Sequence, residues 1–267
     1  MLNGYDIAYS LAVGATWPLW RFNPRWHEKV RRAFAERMGH VEPRPTGAAA
    51  VMVHAVSLGE MNAARGLVDH LAEVRPDLEF IVTTTTDTGM ARAEELYGGR
   101  PRVRVCRYPL DFSAAVRRFL DAVRPSAVAL VELEAWPNFL LECERRHIAT
   151  VLVNGRLSAG SFRNYRLARP LVSGMFRRLT RVCVQDDEYA RRFAAVGVPT
   201  DRIQVTGNMK FDTAAASVDM EHARRLAREV GLADGERLWV CGSTGPGEER
   251  IVLEQYRSLL SEFPGLR

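Results

Sequence analysis

Residues 49–86 read AAVMVHAVSLGEMNAARGLVDHLAEVRPDLEFIVTTTT. AAVMVH (49–54) and EFIVTTT (79–85) are short apolar runs of strand length, and the segment near 60–74 between them has helical spacing. Strand, helix and strand in succession make a crossover unit, which lays its two strands parallel. The rhythm continues outward. RVRVC (102–106), SAVALVE (126–132), ATVLVN (149–154) and TRVCVQ (180–185) read as further buried strands, with helical patterns near 87–97, 112–123, 136–146, 160–178 and 186–196. The expected fold class is α/β, with a parallel sheet covered on both faces. Such sheets bind ligands beyond the carboxyl ends of their strands. Every polar cluster that directly follows a strand is therefore a candidate site.

VTGNMKFDTAAAS (205–217) breaks this rhythm and reads as a polar, Ala-rich linker. Beyond it the pattern gives a helix (219–230), a strand RLWVCG (237–242) and a helix (248–262), the start of a second α/β unit. One strand makes no stable sheet. Residues 219–267 are therefore expected to be the first portion of a larger domain, or to borrow a sheet from elsewhere.

Of 267 residues, 47% are hydrophobic and 26% charged, with a net charge of +5. That balance excludes disorder, collagen and coiled coil as descriptions of the whole chain. Lysine occurs only at Lys29 and Lys210, so arginine carries nearly all the positive charge. No nucleic-acid recognition motif accompanies it, and nucleic acid is not an expected partner. The cysteines, Cys106, Cys143, Cys183 and Cys241, have no C-x-x-C spacing and read as reduced, largely buried thiols. Near the N-terminus IAYSLAVGATWPLW (7–20) carries no charge and is short for a membrane crossing, which needs about 20 residues. Residues 21–38 then hold six Lys or Arg against two Glu, a net +4. An apolar anchor beside a basic segment fits an anionic membrane surface. The plainer reading is a helical arm packed on the core with its arginines in solvent.

Five clusters carry chemistry. HAVSLGE (54–60) leaves the first strand, and its Ser57 and Glu60 have the spacing of a capping box. Glu60 also sits where a general base would stand, with Gly59 leaving room for a substrate. On the residues alone the cap is the stronger reading. TTTTDTG (83–89) offers hydroxyls to a helix start or to a polar ligand. ELEAWPN (132–138) puts Glu132 and Glu134 on one side if the strand continues, and Pro137 suits a first helical turn. NGRLS (154–158) places Arg156 in a polar loop, able to meet an anion or simply solvated. GSTGPGEE (242–249) has P-loop glycine spacing, but Glu248 stands at the lysine position and would repel a phosphate. No metal-ligand set is evident.

These clusters, together with VTGNMKFD (205–212), occur in the order found in the 3-deoxy-D-manno-octulosonic acid (Kdo) transferases, and the sequence resembles that family from about residue 5 to its end. The resemblance implies a GT-B glycosyltransferase: a Rossmann-like N-terminal domain that takes a lipid acceptor, and a second Rossmann-like domain that takes the nucleotide sugar. It implies CMP-Kdo as donor substrate, the lipid A precursor as acceptor, inversion at the anomeric carbon, and neither metal nor cofactor. Glu60 matches the catalytic carboxylate, which reverses the local preference for a cap alone. Ser57 and Gly59 would shape its turn, Glu134 and Trp136 would line the cleft, and Arg156 would lie near the acceptor's phosphates. Lys210 would face the donor's carboxylate, and Ser243, Thr244, Gly247 and Glu248 match the start of the nucleotide site. The family commonly carries His where Gly245 stands.

The implied organisation is a membrane-associated arm (1–38), an acceptor domain (39–206), a linker (207–218) and a partial nucleotide domain (219–267), at the cytoplasmic face of the inner membrane. Lacking most of the donor domain, these 267 residues alone are expected to be inactive. The alternatives are another GT-B enzyme or sugar-nucleotide epimerase, and an inactive acceptor- or membrane-binding module.

Overall fold

A computed structural model describes residues 3–21, 33–45, 47–216, 220–233 and 235–267. Residues 1–213 and 214–267 form two compact units.

The first unit is built on a sheet of seven strands: β1 (Ala50–His54), β2 (Glu79–Thr84), β3 (Val103–Arg107), β4 (Ala127–Val131), β5 (Ala149–Gly155), β6 (Arg181–Val184) and β7 (Ile203–Val205). All neighbours run parallel, in the order β3-β2-β1-β4-β5-β6-β7. The helices before and between them are α1 (Gly4–Arg21), α2 (Phe34–Arg37), α3 (Leu58–Val74), α4 (Asp87–Tyr97), α5 (Ser113–Val123), α6 (Pro137–Arg145), α7 (Ala159–Leu167), α8 (Arg169–Phe176), α9 (Asp187–Val196) and, after β7, α10 (Met209–Ala216).

Alternation along the strands builds two cores. Met52, Ile81, Val128 and Leu152 point to one face and pack with Phe119, Phe139, Phe176 and Phe193. Their neighbours Val53, Val82, Ala129 and Val131 point to the other, against Met61, Val68, Ala93 and Tyr97. Burial on both faces is why these strands read as continuous apolar runs.

The chain order reverses between β1 and β4, which pair with His54 opposite Leu130. That is the topological switch point, where a crevice opens beyond the strand ends. The segments after β1 and β4 are HAVSLGE and ELEAWPN.

Up to α10, four details differ from the sequence reading. β7 has no counterpart in that reading, because three residues are too short to show a pattern; only Val205 falls in the segment 205–217 read as linker. The rest of that linker is largely helix α10. The helical run 160–178 is two helices meeting at Ala168, because Pro170 lacks an amide and sits in the first turn of α8. β4 ends at Val131, because Glu132 takes a left-handed φ of +62° that no strand continues.

The second unit contains α11 (Met220–Glu229) and α12 (Glu248–Leu259). RLWVCG does not form a strand. It makes one bridge, Arg237 to Leu266, and Leu238, Trp239 and Val240 are exposed. A strand needs a partner ladder, and among the described residues only that bridge supplies one. Cys241 is accordingly exposed, whereas Cys106 and Cys143 are buried.

α1 takes in the uncharged N-terminal stretch. No helix among the described residues is long and apolar enough to cross a membrane. Residues 22–32, most of the basic segment, lie outside the described residues.

Candidate active site

Ser57 is the N-cap of α3 and Glu60 its third residue. The Ser57 hydroxyl accepts from the Glu60 amide (3.4 Å) and donates to Glu60 Oε1 (3.0 Å), while Oε2 accepts from the Val56 amide (2.8 Å). This reciprocal cap holds the carboxylate at the strand's carboxyl end without occupying all its lone pairs. A Cβ on Gly59 would meet nothing nearer than Ser57 Oγ at 3.9 Å, so the space over the turn is open.

The threonine cluster braces this turn. Thr84 and Thr86 hydroxyls both donate to the Val56 carbonyl at 2.9 Å, and Thr86 caps α4 by accepting from the Gly89 amide (3.0 Å). A Cβ on Gly89 would lie 2.3 Å from Thr84 Oγ1 and 3.0 Å from the Val56 oxygen. Glycine is therefore required there for the brace to close. Val56 is pinned at its carbonyl and offers its amide to Glu60.

Three acids, Glu60, Glu132 and Glu134, act on one another at this carboxyl edge of the sheet. Burial raises the pKa of Glu60, and the Glu132 charge adds to it, against lowering by the Val56 amide, the Ser57 hydroxyl and Lys210. Glu134 is pushed up to about 7, chiefly by burial and then by the charges of Glu60 and Glu132; the Trp136 indole, donating at 2.9 Å, opposes this. Lys210 Nζ lies 3.5 Å from Glu132 Oε1 and contributes the compensating positive charge. Arg156 is exposed, donates to Tyr189, and feels the Glu132 charge. The structure thus brings together Ser57, Glu60, Glu134, Trp136, Lys210 and Arg156. Glu132 joins them as the hub, since its carboxylate meets Lys210 and its carbonyl accepts the Arg156 amide (3.4 Å). Its place in ELEAWPN was the available signal; its partners come from elsewhere in the chain.

A second polar network fixes the Trp136 turn. Trp136, the N-cap of α6, offers no side-chain cap. Asp111 replaces it, accepting from the Asn138 amide (3.0 Å) and the Phe139 amide (2.8 Å), and also from Tyr9 of α1. Asp6 of α1 does the same for α5, taking the Ser113 amide (2.7 Å) and hydroxyl (2.6 Å). The start of α1 is therefore anchored in the core by buried carboxylates, while Ile7 and Leu11 stay exposed.

In the second unit, Ser243, Thr244 and Gly247 occupy one exposed turn before α12, and Glu248 is the first residue of that helix. Ser243 (φ +58°) and Gly247 (φ +92°) are left-handed, and Glu248 accepts from the Gly245 amide at 2.7 Å. Among the described residues no cluster of His, Cys, Asp or Glu is placed to hold a metal ion.

Sheet order and switch-point crevice define the chain's class: an α/β protein of Rossmann-like, GT-B type. A UDP-GlcNAc 2-epimerase from Neisseria meningitidis, bound to UDP-GlcNAc, aligns with a TM-score of 0.60 at 12% identity, over 81% of this chain and 63% of that one. The UDP-GlcNAc 2-epimerase of Methanocaldococcus jannaschii aligns at 0.54 and 14%, over 82% and 64%. At such identities the likeness is one of fold. Sequence then narrows the class. Residues 32–213 match the family described as 3-deoxy-D-manno-octulosonic-acid transferase (kdotransferase). The chain is 32% identical over 245 residues to the 3-deoxy-D-manno-octulosonic acid transferase of Haemophilus influenzae, covering 89% of this chain and 55% of that protein. It is 35% identical over 226 residues to that of Bordetella pertussis, covering 84% and 51%. The chain belongs to the Kdo transferase family, and it spans about half the length of these relatives.

Proposed function

We propose that this chain supplies the catalytic base and the acceptor face of a transferase that moves Kdo from CMP-Kdo to the lipid A precursor of lipopolysaccharide. The observation that carries the reading is Glu60. Its carboxylate is fixed at the switch point by two hydrogen bonds, has a raised pKa, and stands in the electrostatic field of Lys210. A carboxylate so held and made more basic suits proton abstraction from a hydroxyl.

In the proposed reaction Glu60 takes the proton of an acceptor hydroxyl. The oxygen attacks the anomeric carbon of Kdo from the face opposite CMP, and the bond between that carbon and the phosphate oxygen breaks. Its electron pair leaves on CMP, a phosphate monoester stable enough to need little acid help. The configuration inverts, and no metal or cofactor is invoked. Lys210 meets the donor's carboxylate, Arg156 the acceptor's phosphates, and Ser243, Thr244, Gly247 and Glu248 the nucleotide. Exposed Ile7 and Leu11 on α1 support contact of this arm with a bilayer surface, in keeping with a reaction at the cytoplasmic face of the inner membrane.

The test is transfer of Kdo from CMP-Kdo to a tetraacyl lipid A precursor. The 267-residue chain alone is expected to give none, and measurable transfer would refute that part. A chimera of residues 1–213 with the remainder of the Haemophilus relative is expected to be active. Glu60→Gln in it should lower kcat by about 10²–10⁴-fold; near-unchanged kcat would sink the assignment of the base.

A further inference from the structure

Asn154, at the end of β5, has a left-handed φ of +54° and a side chain buried to 1% exposure. A strand end needs neither property. The residue is used as a joint between β5 and two other segments. Its Oδ1 accepts from the Met209 amide at 3.1 Å and its carbonyl accepts from Gln185 Nε2 at 3.2 Å, while its Nδ2 is buried with no partner among the described residues. Met209 is the first residue of α10 and Lys210 the second. Asn208 Oδ1 accepts from the Lys210 amide at 3.0 Å and caps the helix locally, while the bond from Asn154 ties that start to the end of β5, one residue before the ammonium group that lies 3.5 Å from Glu132. The next strand end repeats the device, because Glu132 is also left-handed and its amide donates to the Val153 carbonyl at 2.9 Å. Two left-handed residues at the ends of adjacent strands thus aim the two members of one ion pair at each other. Non-glycine residues keep such conformations where surrounding structure over-determines them, often at functional sites.

We propose that Asn154 is a positioning residue of this site: through the Met209 amide it anchors α10 so that Lys210 faces Glu132 and Glu60. Asn suits the post because it tolerates the left-handed region and offers an acceptor in the same side chain. The proposal rests on Glu60 and Lys210 forming one site. It is read without any transfer reaction, so an inactive chain leaves its test intact.

The test uses the 267-residue chain with ¹³C-labelled glutamate carboxyls and labelled lysine. Lys29 and Lys210 are its two lysines, so the lysine spectrum is simple to assign. The groups acting on Glu60 are Glu132, Glu134 and Lys210, with Arg156 acting through Glu132. Lys210→Met should raise the Glu60 titration midpoint, because an opposite charge that favours the carboxylate is lost. Asn154→Gly keeps the backbone angle and loses the acceptor. It should raise the midpoint by the same amount and move the Lys210 signal to that of a free lysine. The double variant should shift no further than either single one. Met209→Pro removes the donor from the other side, at a helix position that tolerates proline, and should reproduce the effect if Asn154→Gly fails to fold. An unchanged Lys210 signal in both Asn154→Gly and Met209→Pro, or shifts that add in the double variant, would overturn the proposal.

Discussion

At the residue scale the acid cluster dictates a pH dependence. Glu134 titrates at about 7 in the folded protein against an ordinary 4.5. The native state therefore binds more protons than the unfolded chain between those values, and stability falls as pH rises through that window. The penalty is absent below about 4.5 and complete above about 7. Glu134→Gln removes it while keeping an oxygen for the Trp136 indole. The variant should melt higher than the parent at pH 8 and the same at pH 4. The gain should be a few degrees, since about 1 kcal/mol moves Tm by roughly 2–4 °C at this chain length. Equal gains at both pH values, in thermal melts followed by circular dichroism, would contradict the assignment. The sequence showed these acids at a strand end but not their coupling. Glu132 meets Lys210 only because β4 and the α10 segment converge on one edge, and the left-handed turn at Glu132 leaves no mark in a period-two pattern.

At the element scale, α5 and α6 start without caps of their own and borrow carboxylates from distant segments. Sequence-local rules find the cap Ser57 gives α3 and the one Thr86 gives α4, since donor and acceptor lie within three residues. They cannot find Asp111 for α6, which acts across 27 residues, or Asp6 for α5, across 107. Asp111→Ala leaves two amides of α6 unpaired in a buried place, and should cost about 1–2 kcal/mol by denaturant titration. It should also loosen the turn that carries Glu134 and Trp136, visible as broadened indole resonances of Trp136. A loss below about 0.3 kcal/mol would mean that the amides find other partners. Six of the seven strands were legible for the opposite reason: a strand buried on both faces writes its apolar run directly into the sequence.

At the scale of the whole molecule the two units differ in what holds them. The first buries large side chains throughout, among them Phe80, Phe119, Phe139, Phe176, Phe193 and Leu130, each contributing about 1.5–3 kcal/mol over exposure. From residue 220 onward no described residue is buried, and the chain there has two helices and one isolated bridge. Short segments without a core do not offset the entropy of ordering their backbone, about 1–2 kcal/mol per residue. A chain ending at Ala216 should therefore keep its cooperative transition, with a Tm within a few degrees of the 267-residue chain. Residues 217–267 as a peptide should show little fixed structure. Hydrogen exchange gives the sharper check. Amides of β1, β4 and β5 should exchange only through global unfolding, whereas those of α11 and α12 should exchange within minutes at neutral pH. Protection in α12 equal to that of β4 would mean that this unit is stabilised by contacts beyond its own, and that the chain unfolds as one body.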